Sequence, residues 1–256
     1  MLPTPTTSHV PYSLVYEPAE DSFLLLDTLS SPSQTPFLSS LFPPATTPPP
    51  LILEIGPGSG VVLAFLTAHA LPIFSRSDIL TLGIDINSFA CSSTTTTSLL
   101  AASSHPTTSG HFLGCLQGDL TGCLRSKQVD VLVFNPPYVP TEELPTLPAT
   151  LREGGKEKGG KVTFEDESKL LELSYAGGKD GMETTDRVID SLGEVLSDRG
   201  VAYLLLCAGN KPEEVKQRIR GMGNAGEGRQ WKAETVGTSG RQAGWEKLQI
   251  VRIWRE

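Results

Sequence analysis

The chain predicts an α/β fold: a seven-stranded, mostly parallel sheet with helices on both faces and an antiparallel hairpin at its C-terminal end. Three observations carry this expectation. Short apolar runs at 51–55, 79–84, 112–117, 129–134 and 201–207 have the length of buried strands. Longer segments with helical patterning or spacing separate most of them. Finally, 231–237 and 246–254 follow one another as a closing pair of strands.

Taken in order, residues 1–14 are Thr- and Pro-rich and read as a disordered tail; no basic segment leads into an apolar stretch, which argues against a secretory signal. A single domain is expected over 15–256. Glu17 to about Ser30 reads as an amphipathic helix, with Phe23, Leu24, Leu26 and Leu29 on one apolar face. A Pro/Ser-rich loop spans 31–50, with one short turn at 37–42. Leu51–Ile55 opens the sheet, Gly56-Pro57-Gly58-Ser59-Gly60 follows at once, and a helical pattern begins at Val61. Residues 88–104 are helical by position, although Thr94–Thr97 are poor helix formers. A charged loop is inserted at about 139–178, with a glycine-rich 151–161 part. A helix at 182–196, the strand 201–207, a helix at 212–220, a turn at 221–228 and the closing pair complete the chain.

Composition bounds the function. At 256 residues and 38% hydrophobic, the chain is long enough for a full core. No apolar run approaches 18 residues, so no membrane span is expected. Cys91, Cys115, Cys123 and Cys207 form no Cys-x-x-Cys pair and read as reduced thiols of a cytosolic protein, with no metal set of the chain's own. The formal charge of -8 and the absence of a basic stripe argue against nucleic acid as a partner, since phosphate binding draws on Lys and Arg.

The chemistry concentrates where strands end. The apolar run 129–134 stops in Asn135-Pro136-Pro137-Tyr138. Two prolines fix φ and supply no N–H, so the turn is stiff and its carbonyls face outward as acceptors. Such a corner suits a planar NH2 group, held by the Asn135 oxygen and the Pro136 carbonyl and covered by the Tyr138 ring. Upstream, a strand, a glycine turn and a helix let backbone approach a nucleotide-like ligand through Gly56 and Gly58. Glu54 lies inside that strand, where a carboxylate can face a cation. The Gly-x-Gly-x-Gly spacing differs from the dinucleotide pattern, and a Pro-Pro-Tyr corner has no evident task beside a nicotinamide. The set therefore points to S-adenosylmethionine. Asp85, closing the second strand, can accept from ribose hydroxyls. Asp119 can accept from an adenine amino group, with Leu120 offering its N–H. Each aspartate can equally cap the helix that follows.

Seven strands alternating with helices resemble the class I S-adenosylmethionine-dependent methyltransferase fold. A closer likeness is carried by Val15-Tyr-Glu-Pro-Ala-Glu-Asp21 with Ser22-Phe-Leu-Leu-Leu26, by Leu53-Glu-Ile-Gly56, Gly58-Ser-Gly-Val61-Val62 and Phe134-Asn-Pro-Pro-Tyr138, and by Ala176-Gly-Gly178 and Arg241-Gln-Ala-Gly244. Together they resemble the eukaryotic HemK-like release-factor glutamine methyltransferases from about residue 10 onward. The resemblance implies methylation, with S-adenosylmethionine, of the glutamine side chain in the Gly-Gly-Gln loop of the class I translation termination factor. It also implies a heterodimer with a small zinc-binding methyltransferase activator, and a cytoplasmic or nuclear location. The zinc would belong to the activator. The third strand is an edge in this fold, and its apolar Phe112–Leu116 stretch is the expected docking edge. Tyr16, Glu20 and Ser22 are expected to lid the donor, with Ser22 against it. Glu17, Glu20 and Asp21 can also be read as charge compensation at a helix N-terminus. Two departures from the family pattern stand out: Pro57 removes one N–H from the glycine turn, and the 139–178 insertion is long and charged.

Three other readings share these residues. The corner also fits the exocyclic amine of adenine after base flipping. Lysine methylation would need a base that the sequence does not display. A non-enzymatic scaffold would have no use for Glu54, Asp85, Asp119 and Asn135 together.

Overall fold

The computed structural model describes residues 2–148, 163–223, 229–239 and 247–256. Seven strands form one sheet in the order β3-β2-β1-β4-β5-β7-β6. They are β1 (Leu51–Ile55), β2 (Leu80–Asp85), β3 (His111–Gln117), β4 (Val129–Phe134), β5 (Leu196–Cys207), β6 (Trp231–Thr238) and β7 (Leu248–Arg255). The first five run parallel; β7 lies antiparallel between β5 and β6. The chain winds outward from β1 to β3, then returns to the other side of β1 with β4. That reversal opens a crevice beyond the carboxyl ends of β1 and β4, where α/β sheets bind ligands.

Strand alternation divides the core between two faces. Ile52, Val131, Val133 and Tyr203 point to one side. There they pack on α1 (Glu20–Leu29), α2 (Thr35–Leu41), α3 (Val61–Ala68) and α4 (Ala70–Phe74). Leu53, Ile55, Leu132 and Phe134 point to the other, against α7 (Glu183–Val195) and α8 (Pro212–Arg220). In α7 the residues Val188, Ile189, Leu192 and Val195 recur at helical spacing, and all four are buried.

The glycine turn depends on α5 (Ser88–Ser104), which packs across α3. Gly56, Gly58 and Gly60 all have positive φ, at 61°, 56° and 78°. A Cβ at Gly60 would stand 2.6 Å from the Thr94 Cα, so only glycine permits this approach. The threonine run tolerates its low propensity by bonding back into the helix, as Thr95 does to the Cys91 carbonyl at 2.8 Å. Two of the threonines also hold the turn. Thr94 donates to the Gly58 carbonyl at 3.2 Å and Thr97 to that of Ser59 at 2.6 Å.

Several expectations change. The N-terminal segment is packed, not a disordered tail through residue 14. Val10 and Val15 are buried with Ala90, His9 lies 3.2 Å from the Thr97 hydroxyl, and Asn87 donates to the Leu14 carbonyl at 2.8 Å. Apolar side chains spaced through a Thr/Pro-rich stretch supply those anchors. Helix α1 buries Leu26 and Leu29 as expected, with Leu24 packed against the core, but its inner face also takes Asp21, Ser22, Leu25 and Thr28 while Phe23 is 45% exposed. The expected turn at 37–42 is the helix α2. Strand β5 starts earlier than expected because residues beyond Leu196 continue as an irregularity, the register passing from Val129–Leu196 to Val131–Val201. The glycine-rich 151–161 part, most of the 221–228 turn and the Arg241–Gly244 string lie outside the described residues.

Candidate active site

A cavity of about 200 Å³ opens at the carboxyl ends of β1, β2 and β4. Of the residues singled out in the sequence, Tyr16, Ser22, Glu54, Gly56, Gly58 and Asp85 line it, as do Asp119, Leu120, Asn135 and Pro137. Pro136 and Tyr138 do not. An extended Pro-Pro stretch sends successive side chains to opposite sides, so Asn135 and Pro137 face the cavity while Pro136 is buried away from it. Tyr138 is half-buried, with one side packed on the core. Glu20, expected in the lid, is also absent from the lining; the cavity takes Asp21 and Ser22 from the same turn.

The wall opposite the glycine turn comes from the insertion. Leu144, Pro145, Leu170, Leu173, Ser174 and Ala176 line the cavity, the last four on or just after α6 (Phe164–Tyr175). Val139 donates to the Tyr175 carbonyl at 2.9 Å and Gly177 to that of Val139 at 2.8 Å, so the insertion closes on the motif strand. Gly177 is required there, since a Cβ would fall on the Pro137 carbonyl oxygen. Asn210, just after β5, lies within 3.3 Å of the carbonyls of Tyr138, Asp180 and Gly181 and fixes the far end of the Pro-Pro-Tyr corner.

Asn135 sits at the tip of β4. Its Nδ2 donates to Asp21 Oδ2 at 3.0 Å, whereas its Oδ1 is buried and accepts from no group in the described chain. Glu54 is 3% exposed and its Oε2 also lacks a partner. Burial, reinforced by the neighbouring Asp85 charge, pushes the Glu54 carboxyl up to about 8, against an opposing backbone hydrogen bond at Leu63. Asp85 is likewise raised to about 6 by burial, although it accepts from the N–H of Gly58 at 3.1 Å and of Asn87 at 2.8 Å. Pro57 therefore removes no donor that this carboxylate uses. Asp119 differs: half exposed, its Oδ2 is taken by Arg187 at 2.6 Å, and both residues stand at the cavity wall.

Sequence reasoning missed Asp21, Asn210 and Arg187 as parts of this site. A signal for Asp21 was present, because Asp21, Leu25 and Thr28 follow the i, i+4, i+7 spacing of the face that α1 buries. Asn210 and Arg187 carry no local signal; only the folded chain brings them to residues 138 and 119.

No family model matches the chain. Among curated proteins it is 32% identical, over a 260-residue alignment, to the eRF1 methyltransferase catalytic subunit mtq2 of Schizosaccharomyces pombe, spanning 100% of this chain and 96% of that protein. To Methyltransferase HEMK2 of Homo sapiens it is 32% identical over 255 residues, spanning 98% and 95%. Among solved structures it is similar to a chain of the E. cuniculi Mtq2–Trm112 complex, responsible for methylation of the eRF1 translation termination factor. The TM-score is 0.54 at 22% identity, covering 94% of this chain and 99% of that one, which supports the shared fold. With about a third of residues identical along nearly the full length of both partners, the chain belongs to the Mtq2/HEMK2 family of methyltransferases.

Proposed function

We propose that the chain transfers a methyl group from S-adenosylmethionine to the side-chain amide nitrogen of the glutamine in the Gly-Gly-Gln loop of the class I termination factor. The observation that carries this reading is the state of Asn135. Its amide nitrogen is already engaged by Asp21, which leaves its oxygen as a buried acceptor without a donor at the edge of the cavity. An N–H brought against that oxygen satisfies a group whose isolation costs about 1–3 kcal/mol.

The cavity fits the methyl donor. Gly56 and Gly58 face open space or only the tip of Val15, a cradle that side chains would fill. Asp85 retains lone pairs on both oxygens for hydroxyl donors, and Glu54 offers an unpaired carboxyl oxygen to a cationic group. When bound, the donor would supply a sulfonium methyl: forming the N–CH3 bond would break the S–CH3 bond, leave S-adenosylhomocysteine and release one amide proton to solvent. The residues of the chain orient. Asn135 Oδ1 accepts one N–H group, and the main-chain carbonyl of Pro136, whose ring points away from the cavity, is read as accepting the other; together they align the nitrogen and stabilise the positive charge that grows on it. No residue is assigned as general base. Asp119 and Leu120 are read as the adenine-side contacts, with Asp119 Oδ1 available beside the Arg187 pair.

We further propose that the chain works as a heterodimer with a small zinc-binding activator docked on β3. That strand is a sheet edge, paired among the described residues only with β2, and Leu113 and Leu116 on it are 56% and 44% exposed. Strand addition would cover both. Among the described residues no helix is long and apolar enough to cross a membrane. A termination-factor substrate places the enzyme in the cytoplasm.

One incubation tests the reading. The heterodimer and labelled donor are mixed with the termination factor, with the same factor carrying a replaced loop glutamine, or with DNA. Label is expected on the factor and absent when the glutamine is replaced; label on DNA with none on the glutamine overturns the assignment.

A further inference from the structure

We propose that Asp21 is a positioning residue for the transfer: it selects which end of the Asn135 amide faces the reacting nitrogen. The inference rests on the glutamine-transfer reading above. An asparagine amide is nearly symmetric in shape, and a half-turn about its last torsion exchanges an acceptor for a donor. For Asn135 that exchange decides chemistry. With Oδ1 toward the substrate, the side chain accepts an N–H and favours charge building on the nitrogen. With Nδ2 there instead, two sets of donors would oppose each other.

The protein contains a device that removes the ambiguity. Asp21 belongs to the first turn of α1 and is 4% exposed. Its Oδ1 is held by the Ser22 N–H at 2.6 Å and the Ser22 hydroxyl at 3.2 Å. Its Oδ2 is thereby aimed at Asn135, 114 residues away along the chain, and accepts from Nδ2 at 3.0 Å. A carboxylate only accepts, so it holds the amide nitrogen and repels the amide oxygen. The outcome is legible in Asn135 itself: one end bonded, the other an orphan acceptor. A buried aspartate that holds a catalytic side chain in one orientation follows the same logic as the orienting acid of a hydrolase triad. The arrangement also couples the helix bearing Tyr16 and Ser22 at its lead-in and first turn, both at the cavity, to the motif strand.

The test uses the intact heterodimer, the termination factor and three variants. Asp21→Asn is nearly isosteric but presents a donor as readily as an acceptor, so Asn135 is free to turn. The expected result is a fall in kcat of about tenfold to a hundredfold, with donor Kd within about threefold and thermal midpoint little changed. Asn135→Asp sets two carboxylates face to face and falls further. The double swap, Asp21→Asn with Asn135→Asp, restores one N–H between the positions with its direction reversed and leaves an acceptor toward the substrate. It is expected to recover at least about tenfold in kcat over Asn135→Asp alone. A purely structural Asp21 would lower the midpoint and donor affinity together and give no such recovery. Wild-type kcat in Asp21→Asn, or a folded swap no faster than Asn135→Asp, overturns the inference. Should Asp21→Asn melt below the assay temperature, the swap decides alone. If the wild-type heterodimer puts no label on the glutamine, the function reading fails and takes this inference with it. If it does and Asp21→Asn keeps pace, only the inference fails.

Discussion

Two buried carboxylates at opposite ends of the same sheet have been treated very differently by the fold. Asp130, near the amino end of β4, is 6% exposed and accepts four hydrogen bonds. Its donors are the Leu51 N–H at 3.0 Å, the Ser197 hydroxyl at 2.7 Å, and Nε and Nη2 of Arg199 at 2.8 and 3.0 Å. Glu54, near the carboxyl end of the adjacent β1, is 3% exposed, yet one of its oxygens has no partner and its carboxyl is pushed up to about 8. Both ends were equally able to supply donors from loops. At the amino end they did, and β1, β4 and β5 are tied together. At the carboxyl end Glu54 Oε2 and Asn135 Oδ1 are left open beside glycines that offer no side chain. Unpaired buried groups are costly; Arg199 Nη1 is one at the amino end too, so the contrast lies in the acceptors, which are saturated at Asp130 and open at Glu54 and Asn135. The contrast separates the end that holds the fold from the end that holds ligand.

The sharpest way to break that contrast is to remove a group from each end. Asn135→Ala takes away the open acceptor and is expected to cut methyl transfer by about a thousandfold, while donor Kd moves by less than about tenfold, about 1.4 kcal/mol. Labelled transfer and calorimetric donor titration measure the two quantities. Transfer that survives removes Asn135 from the catalytic centre. Asp130→Ala, by contrast, removes four hydrogen bonds and leaves Arg199 with the Pro48 carbonyl and the Phe42 ring, and is expected to cost about 3 kcal/mol of stability, read by thermal or denaturant melts. Its donor affinity, taken per folded molecule, should stay at the wild-type value. A variant that melts normally but no longer binds donor would dissolve the distinction between the two ends.

Much of this division was legible in the sequence, because its signals are local. The Gly56–Gly60 turn, the strand ending at Asp85 and the Asn-Pro-Pro-Tyr corner each announce themselves within a few residues, and all reach one cavity. The closing pair expected at 231–237 and 246–254 is found as β6 and β7. What stayed hidden depends on long separations or on handedness. Thr94–Thr97 looked like a weakness of α5 until Thr94 and Thr97 met the glycine turn. Asp21 resembled an ordinary first-turn acid, since its partner lies 114 positions away. The side on which Tyr138 packs is not legible either, because an aromatic beside two prolines says nothing about parity; the folded chain sets it half-buried against the core. The packed N-terminal segment was missed for a related reason: few apolar residues, each well placed, anchor it without periodicity.

The smallest effects come from pH, and they separate the two acids at the open end. An acid whose folded-state pKa exceeds its unfolded value binds more protons when folded, so it withdraws stability as pH rises between the two. For Glu54 that interval runs from 4.5 to about 8. Glu54→Gln is therefore expected to raise the melting midpoint of the ligand-free protein at pH 8 by about 5 °C, with little change near pH 4.5. A cationic ligand works in the opposite sense, since it favours the ionised carboxylate and expels the proton. Wild-type donor affinity should thus climb toward pH 8, by up to about tenfold per unit, and calorimetry at pH 7 should show a binding enthalpy that depends on the buffer. In Glu54→Gln both signatures should vanish. Asp85 governs the lower limb: raised to about 6, it must be ionised to accept two hydroxyls, so affinity falls below that pH and Asp85→Asn flattens the fall. Buffer-independent binding by the wild type would mean that Glu54 does not face the donor's charge, and the open end would then be defined by Asn135 and Asp85 alone.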